Sequence, residues 1–197
     1  HPNSPSTNTF SDIDVDNQSN VWVGSGTDVF GGGIYKFNGE QWEIFNKDNT
    51  PVLPTDAYHK VYAAPDNTMY FANWGHGIAK YADGEFSAYY DENTDLVGIV
   101  DDPNFVVISD VHNDTKGDTW LLNFEASNQK VLSVLTKDST WYHYEFGTPL
   151  SPQVVNTRHL VVDQYDTKWF AVTGENQPRG VYYFNENTTK ENLDDDV

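Results

Sequence analysis

One motif occurs four times along this chain, and an internal repeat of this length limits the fold to a few architectures. Each copy is a short segment with an aromatic residue at its centre, and the centres are 48, 50 and 49 residues apart. The central residues are Trp22, Tyr70, Trp120 and Trp169. An Asp stands six residues earlier in three copies, and the four residues at that position are Asp16, Ala64, Asp114 and Asp163.

Each repeat contains several short segments with the pattern of β-strands. An alternating apolar segment precedes the Asp, and a strand centred on the aromatic residue follows it. A third strand begins after a variable loop, for example at Gly33 and Gly180. Asn38-Gly39 and Asp83-Gly84 then predict two-residue turns with positive φ at both positions, each leading into a fourth strand. The unit is therefore predicted to be four antiparallel strands.

Four-stranded units of about 50 residues are typical of a β-propeller, in which each sheet is a blade and packs against its neighbours. The small residues Gly24, Ala72 and Ala171 would let adjacent sheets approach closely. The predicted blades are 10–57, 58–105, 106–156 and 157–190, followed by a solvated acidic tail, 191–197. A solenoid and a β-sandwich are the alternative architectures.

The repeat resembles a known family, the two-component regulator propeller. The resemblance depends on Asp16 to Trp22, Gly33 to Trp42 and Leu53-Pro54, and it covers residues 10 to 185. Proteins of this type include the periplasmic sensor halves of hybrid histidine kinases and the PorZ-like surface propeller of the type IX (Por) secretion system. The resemblance implies the fold; because its motif residues are turn and core residues, it assigns no functional residue.

Rings in this family normally have seven blades, whereas the repeat length gives about four here. We therefore expect the chain to be an arc of a larger ring and a piece of a longer, multi-domain protein. Alternatively, the segment around Thr9 and Phe10 could complete the fourth blade, which has only three predicted strands.

Loops between second and third strands would lie on one rim of such a propeller. These loops are predicted at Ser25 to Gly32, Asn73 to His76, Asn123 to Gln129 and Thr173 to Arg179. They carry aromatic and hydrogen-bonding side chains that would suit a sugar or a peptide. The candidate ligand-binding residues are Phe30, Trp74, His76, Phe124, Asn176 and Arg179.

Metal and catalytic sites have little support in the sequence. Asp12, Asp14 and Asp16 alternate as in a calcium-binding loop, but the glycine and distal Glu of that loop are missing, so calcium remains only a hypothesis. The chain has no cysteine, and its histidines do not form a zinc motif. No cofactor is predicted. Streptogramin lyases are propellers with a catalytic His, which makes a lyase using His76 on a glycan or lactone an alternative.

The net charge of the chain excludes one class of binding partner. Thirty acidic residues against 11 Lys and Arg give a net charge of −19, which repels nucleic acids. No apolar run approaches the roughly 18–20 residues of a spanning helix, so direct membrane insertion is not expected. We expect a non-enzymatic extracellular or cell-surface propeller, type IX secretion-associated and near the outer membrane, that binds protein or glycan. The alternative is the periplasmic ligand-sensing domain of a hybrid sensor kinase.

Overall fold

The computed structural model of the chain describes residues 4–27, 30–145, 155–173, 179–187 and 189–191. These residues form 15 antiparallel β-strands and contain no helix. The strands follow one another in four groups, which we call blades I to IV. The predicted all-β propeller fold is confirmed.

The blades have the following strands. Blade I contains β1 (Phe10–Val15), β2 (Val21–Ser25), β3 (Ile34–Phe37) and β4 (Trp42–Phe45). Blade II contains β5 (Tyr58–Ala63), β6 (Met69–Gly75), β7 (Ile78–Ala82) and β8 (Glu85–Tyr90). Blade III contains β9 (Val106–Asn113), β10 (Thr119–Asn123), β11 (Leu132–Leu135) and β12 (Trp141–Tyr144). Blade IV contains β13 (Asn156–Val162), β14 (Lys168–Thr173) and β15 (Gly180–Phe184).

Strands within a blade pair in the order of the sequence, so each blade is a meander. Blades II and III are also joined to each other, because the end of β6 pairs with the beginning of β9 at Trp74–Val107 and Gly75–Val106. These two blades therefore form one continuous eight-stranded sheet. The other blade junctions combine side-chain packing, side-chain hydrogen bonds, an ion pair and backbone hydrogen bonds such as that from the Glu125 N–H to the Val155 carbonyl oxygen.

Apolar side chains from consecutive blades form three separate cores. Trp22 and Ile34 of blade I pack with Val61 and Phe71 of blade II. The equivalent clusters join blade II to III and blade III to IV, and Trp120 belongs to the last of these. The small residue predicted at Gly24 has the expected role, since a Cβ there would lie 2.5 Å from the Tyr58 carbonyl oxygen of the next blade.

The repeated Asp has a role beyond the turn that the sequence predicts. Asp16 accepts a hydrogen bond from the indole Nε1–H of Trp22 at 2.8 Å, and Asp114 and Trp120 repeat this pair at 3.0 Å. The same carboxylate of Asp16 also accepts backbone N–H groups of its turn. Burial would raise the pKa of Asp16, but the hydrogen bonds from Trp22 and Asn20 outweigh it and hold the pKa below its usual value.

The two predicted Gly-containing hairpin turns differ. Asp83 and Gly84 have φ of 55° and 91°, which confirms the two-residue turn. The prediction is wrong at Asn38-Gly39, because β3 and β4 are joined by a four-residue loop in which only Gly39 has positive φ. The Asn38 side chain accepts the backbone N–H groups of residues 40 and 41 instead, and this local bonding stabilises the longer loop.

The two end blades each leave one face uncovered by the described residues. Ile13 is 62% exposed, whereas Val61, at the same place in the next blade, is 2% exposed. At the other end, Val181 is 72% exposed and its counterpart Ile34 is fully buried. Phe10 begins β1 and pairs with Ser25, so the alternative in which this segment completes blade IV is wrong. The described blades thus form an open arc.

Candidate functional site

The structure brings two of the sequence-predicted binding residues together. Trp74 lies near the end of β6 and Phe124 directly follows β10, and their ring centroids are 5.0 Å apart at 48°. Both strands are the second strands of their blades, so the pair lies on the predicted rim. Phe124 is buried and Trp74 is half-buried, so Trp74 is the more accessible residue of the pair.

Arg158 of blade IV completes this group. Its guanidinium carbon lies 5.0 Å from the Trp74 ring centroid and 4.5 Å from that of Phe124. These distances are typical of cation–π contacts, in which a cation is held by the negative faces of aromatic rings. We call Trp74, Phe124 and Arg158 the aromatic–arginine cluster. Each of its three residues comes from a different blade.

The register of β13 helps to place Arg158. The pairing of β13 with β14 shifts between Arg158 and Val161, and His159 within this irregularity has a φ of 56°. Such irregularities re-aim the side chains around them. Burial lowers the pKa of Arg158, and the nearby carboxylate of Glu125 opposes this effect.

His59 lies beside the cluster, also at a register shift, between Tyr58 and Lys60 of β5. Its ring meets that of Trp74 edge-on at 5.5 Å. Burial lowers the pKa of His59 to about 4, and the positive charges of Arg158 and Lys60 act in the same direction. The Ile108 backbone and the carboxylate of Asp12 favour the protonated form but do not offset burial. The imidazole is therefore neutral at pH 7.

Lys60 joins the innermost strands of three blades. Its Nζ lies 3.3 Å from Asp12 Oδ2 in blade I and 3.4 Å from Asp110 Oδ1 in blade III. Both carboxylates raise the pKa of Lys60 against the opposing effect of burial. The positive charge of Lys60 is thus already neutralised by two acidic side chains. Its role in the described structure is to hold the blades together.

The remaining candidate residues lie outside the cluster. Phe30 is 81% exposed and borders a groove of about 620 Å³ that is lined mainly by hydroxyl side chains and glycines of blade I. His76 is exposed, and its backbone N–H donates to Asn73 Oδ1 at 2.8 Å. Arg179 is exposed and directly precedes β15. Asn176 lies outside the described residues, as does the predicted acidic tail beyond residue 191.

One predicted rim loop is shorter than expected. The sequence places a loop at Asn73 to His76, but β6 continues to Gly75 because Trp74 and Gly75 pair with β9 of the next blade. This pairing fixes the backbone beneath Trp74. A strand, unlike a free loop, holds a binding side chain in a defined position.

The three calcium candidates do not face a common centre. Asp12 accepts the backbone N–H of Val61 at 2.9 Å, and Asp14 accepts that of Ala63 at 2.8 Å. Asp16 is bonded to Trp22. In the parts of the chain that the structure describes, no group of three or more His, Asp or Glu side chains is arranged to hold a metal ion. Calcium binding stays a hypothesis without a defined site.

Three of the residues at this site are missed by the sequence analysis: His59, Lys60 and Arg158. All three lie in the first strands of their blades, β5 and β13, where a single polar side chain carries no motif.

The described ranges of the chain contain no helix long and apolar enough to cross a membrane.

Comparison with known proteins gives the fold. No family model matches the chain, and no curated protein does either. Among solved structures, it is similar to PorZ, an essential bacterial surface component of the type-IX secretion system of Porphyromonas gingivalis. The TM-score is 0.77 at 18% identity over 98% of this chain and 27% of PorZ.

Two further structures are similar. One is the extracellular domain of BT4673 from B. thetaiotaomicron, which is assigned to the hybrid two component systems, with a TM-score of 0.61 at 15% identity over 94% of this chain and 22% of that one. The other is a streptogramin B lyase, with a TM-score of 0.58 at 15% identity over 92% and 55% of the two chains.

These identities are low, so the likeness concerns the fold alone. The chain spans about a quarter of the length of PorZ and of the BT4673 domain. Both belong to the propeller types that the sequence motif resembles, and the predicted resemblance is confirmed at that level. The chain has the blade architecture of PorZ and of hybrid two-component extracellular propellers.

Proposed function

We propose that this chain is a non-enzymatic binding segment of a bacterial extracellular or cell-surface propeller protein, PorZ-like and type IX secretion-associated, that recognises a glycan or a protein. The observation that carries this proposal is the aromatic–arginine cluster. It combines a partly accessible tryptophan ring with a guanidinium group on one rim of the arc. Its residues come from three blades, so the folded arc is needed to assemble it.

The chemistry of the cluster suits recognition. Aromatic faces stack on sugar rings and on apolar peptide side chains, and polar groups at their edge fix the orientation of the ligand. The Trp74 backbone is held by pairing with β9, and Phe124 supports its ring from behind. A preorganised surface of this kind loses little conformational entropy when a ligand binds.

The similar structures support the location and the setting. PorZ is a bacterial surface component, and the BT4673 match is an extracellular domain. Since the chain spans only part of each, we infer that it acts within a larger multi-domain protein. Association with the outer membrane and with secretion belongs to this proposal.

A sensor domain is the second candidate, because an extracellular domain assigned to a hybrid two component system has the same fold. In that case the cluster would detect its ligand and the rest of the protein would transmit the signal. A lyase is the third, because a streptogramin B lyase also has this fold. Turnover of a glycan or lactone that His76→Ala abolishes would establish the lyase and exclude simple binding.

The binding proposal is tested on an array of bacterial surface glycans and peptides. We expect specific retention of one ligand class and at least tenfold weaker binding by Trp74→Ala, because a stacking platform is lost. Tyr165→Ala is the matched control, since Tyr165 is an exposed aromatic residue, 74% accessible, in the turn at the opposite rim. Equal binding by Trp74→Ala and the native chain would contradict the assigned site.

A further inference from the structure

We propose that the ligand of the aromatic–arginine cluster carries a carboxylate group, which the guanidinium of Arg158 binds. This inference rests on the proposed function and specifies the chemical class of its ligand. It derives from the state of Arg158, which is a half-buried cation held by aromatic rings. Within the described residues, most of its hydrogen-bond donors have no partner.

Three other cations at the blade junctions, Lys60, Lys168 and Lys190, already have carboxylate partners. Lys60 lies within 3.4 Å of two carboxylates, and Lys190 lies 2.9 Å from Asp118. Lys168 is bonded to Glu186. Within the described residues, no carboxylate forms an ion pair with Arg158. Among the described residues, Arg158 thus has a carboxylate in its neighbourhood, Glu125, but none within ion-pair distance.

Among the described parts of the chain, most N–H donors of Arg158 are available to a ligand. A guanidinium has five N–H donors in one plane, and cation–π contacts use its face rather than these donors. Nη1 donates one hydrogen bond, to the Thr157 carbonyl oxygen at 3.3 Å. The remaining edge can donate to the two oxygens of a carboxylate side by side, which is the preferred geometry of this pair.

The surroundings favour a singly charged planar anion over a phosphate. Two carboxylates lie near this group and oppose the effect of burial: Glu125 raises the pKa of Arg158, and Asp12 raises that of neighbouring His59. These carboxylates, with a net chain charge of −19, oppose a dianion more strongly than a monoanion. His59 is neutral at pH 7 and adds no positive charge. The ring of Trp74, beside the guanidinium, offers a stacking surface for the rest of the ligand.

Two sources of carboxylate fit this chemistry, an acidic sugar and a peptide. The test compares each acid with its neutral form by calorimetric titration of the folded chain at low salt. The probes are a galacturonate oligosaccharide and its methyl ester, and a tripeptide with a free C-terminus and its amide. We expect one of the acids to bind at least tenfold more tightly than its neutral form, because a charge-assisted hydrogen-bond pair is lost in the latter. The acid that does so identifies the source.

Variants assign the effect to Arg158. Arg158→Gln should remove the difference between acid and neutral probe, and Arg158→Lys should retain only part of it, because an ammonium group lacks the planar fork. Lys116→Gln is the matched control, as it removes one positive charge from an exposed turn at the opposite end of β10. If Arg158→Gln does not fold, the comparison of acid with neutral form on the native chain still decides the matter.

The outcomes separate this inference from the proposed function. Equal binding of acid and neutral forms, abolished by Trp74→Ala, would overturn the carboxylate inference and leave the binding site intact. A preference for the acid that survives Arg158→Gln would also overturn it. If neither acid binds, the inference is wrong, and the proposed function is then judged by the neutral ligands of the glycan array.

Discussion

The carboxylate of Asp110 accepts a hydrogen bond from the backbone N–H of Leu160 at 2.8 Å, so one side chain joins the innermost strands of blades III and IV. Asp12 makes the equivalent bond to Val61 at 2.9 Å between blades I and II. Asp110 also contacts Lys60 of blade II. Acidic residues of the innermost strands therefore connect sheets that share no continuous strand ladder at these positions.

Asp110→Ala should lower the free energy of unfolding by about 2–3 kcal/mol, because it leaves the buried Leu160 N–H without an acceptor and Lys60 with one carboxylate fewer. Asp110→Asn keeps an acceptor and should lose less. Asp48→Ala, in an exposed turn, is the control and should stay within about 0.5 kcal/mol of the native chain. Urea denaturation measures all three, and a native-like Asp110→Ala would show that this bond is dispensable.

The indole–carboxylate hydrogen bond occurs at a buried pair and at a partly exposed pair, so a Trp→Phe substitution can be compared at both. Trp120→Phe removes the donor to buried Asp114, and the loss of this bond should destabilise the chain by about 1–3 kcal/mol. Trp169→Phe removes the equivalent donor to Asp163, but Trp169 is 40% exposed and water can replace it, so the loss should be smaller. Thermal unfolding of both variants measures whether Trp120→Phe loses more stability than Trp169→Phe. Equal losses would mean that burial does not increase the contribution of the indole hydrogen bond.

The repeat predicts those parts of the fold that depend on local pattern. Second strands, the turn at Asp83-Gly84 and the close approach at Gly24 all follow from residues within one repeat. The loop after Asn38 departs from its prediction because a side chain bonds to the backbone of its own turn. Propensity for a two-residue turn does not account for that competing bond.

The candidate site is only partly accessible to sequence reasoning because it is assembled from distant segments. Trp74 and Phe124 are predicted as rim residues, but their contact depends on the pairing of β6 with β9. Arg158 reaches both rings from a third blade. A cation–π contact between blades leaves no spacing in the sequence, since it depends on how neighbouring sheets are rotated against each other.

Gly24→Ala tests how closely blades I and II approach. The added Cβ would lie 2.5 Å from the Tyr58 carbonyl oxygen, so one sheet must shift, and we expect a loss of about 1–3 kcal/mol. Gly180→Ala is the matched control, because the nearest side-chain atom would be 3.9 Å away and no positive φ is required there. Denaturant unfolding compares the two variants. A neutral Gly24→Ala would show that the junction is looser than its geometry indicates.

The lowered pKa of His59 makes the free energy of unfolding depend on pH. Its pKa is about 4 in the folded chain and 6.5 for an unperturbed histidine, so between these values the unfolded chain binds more protons. Stability from this group is complete above pH 6.5 and is lost as the pH falls towards 4, by about 2–3 kcal/mol. Burial also lowers the pKa of His143, which acts in the same direction. In the native chain, the change in the free energy of unfolding with pH therefore contains contributions from both histidines.

His59→Gln isolates the contribution of His59. We expect this variant to lose less stability than the native chain between pH 6.5 and 4, because a neutral amide cannot be protonated in the unfolded state. His76→Gln is the matched control, because it makes the same change at an exposed histidine outside the cluster. Urea unfolding at half-unit pH steps measures the slopes. Identical slopes for the native chain and His59→Gln would mean that His59 becomes protonated without leaving its place beside Trp74.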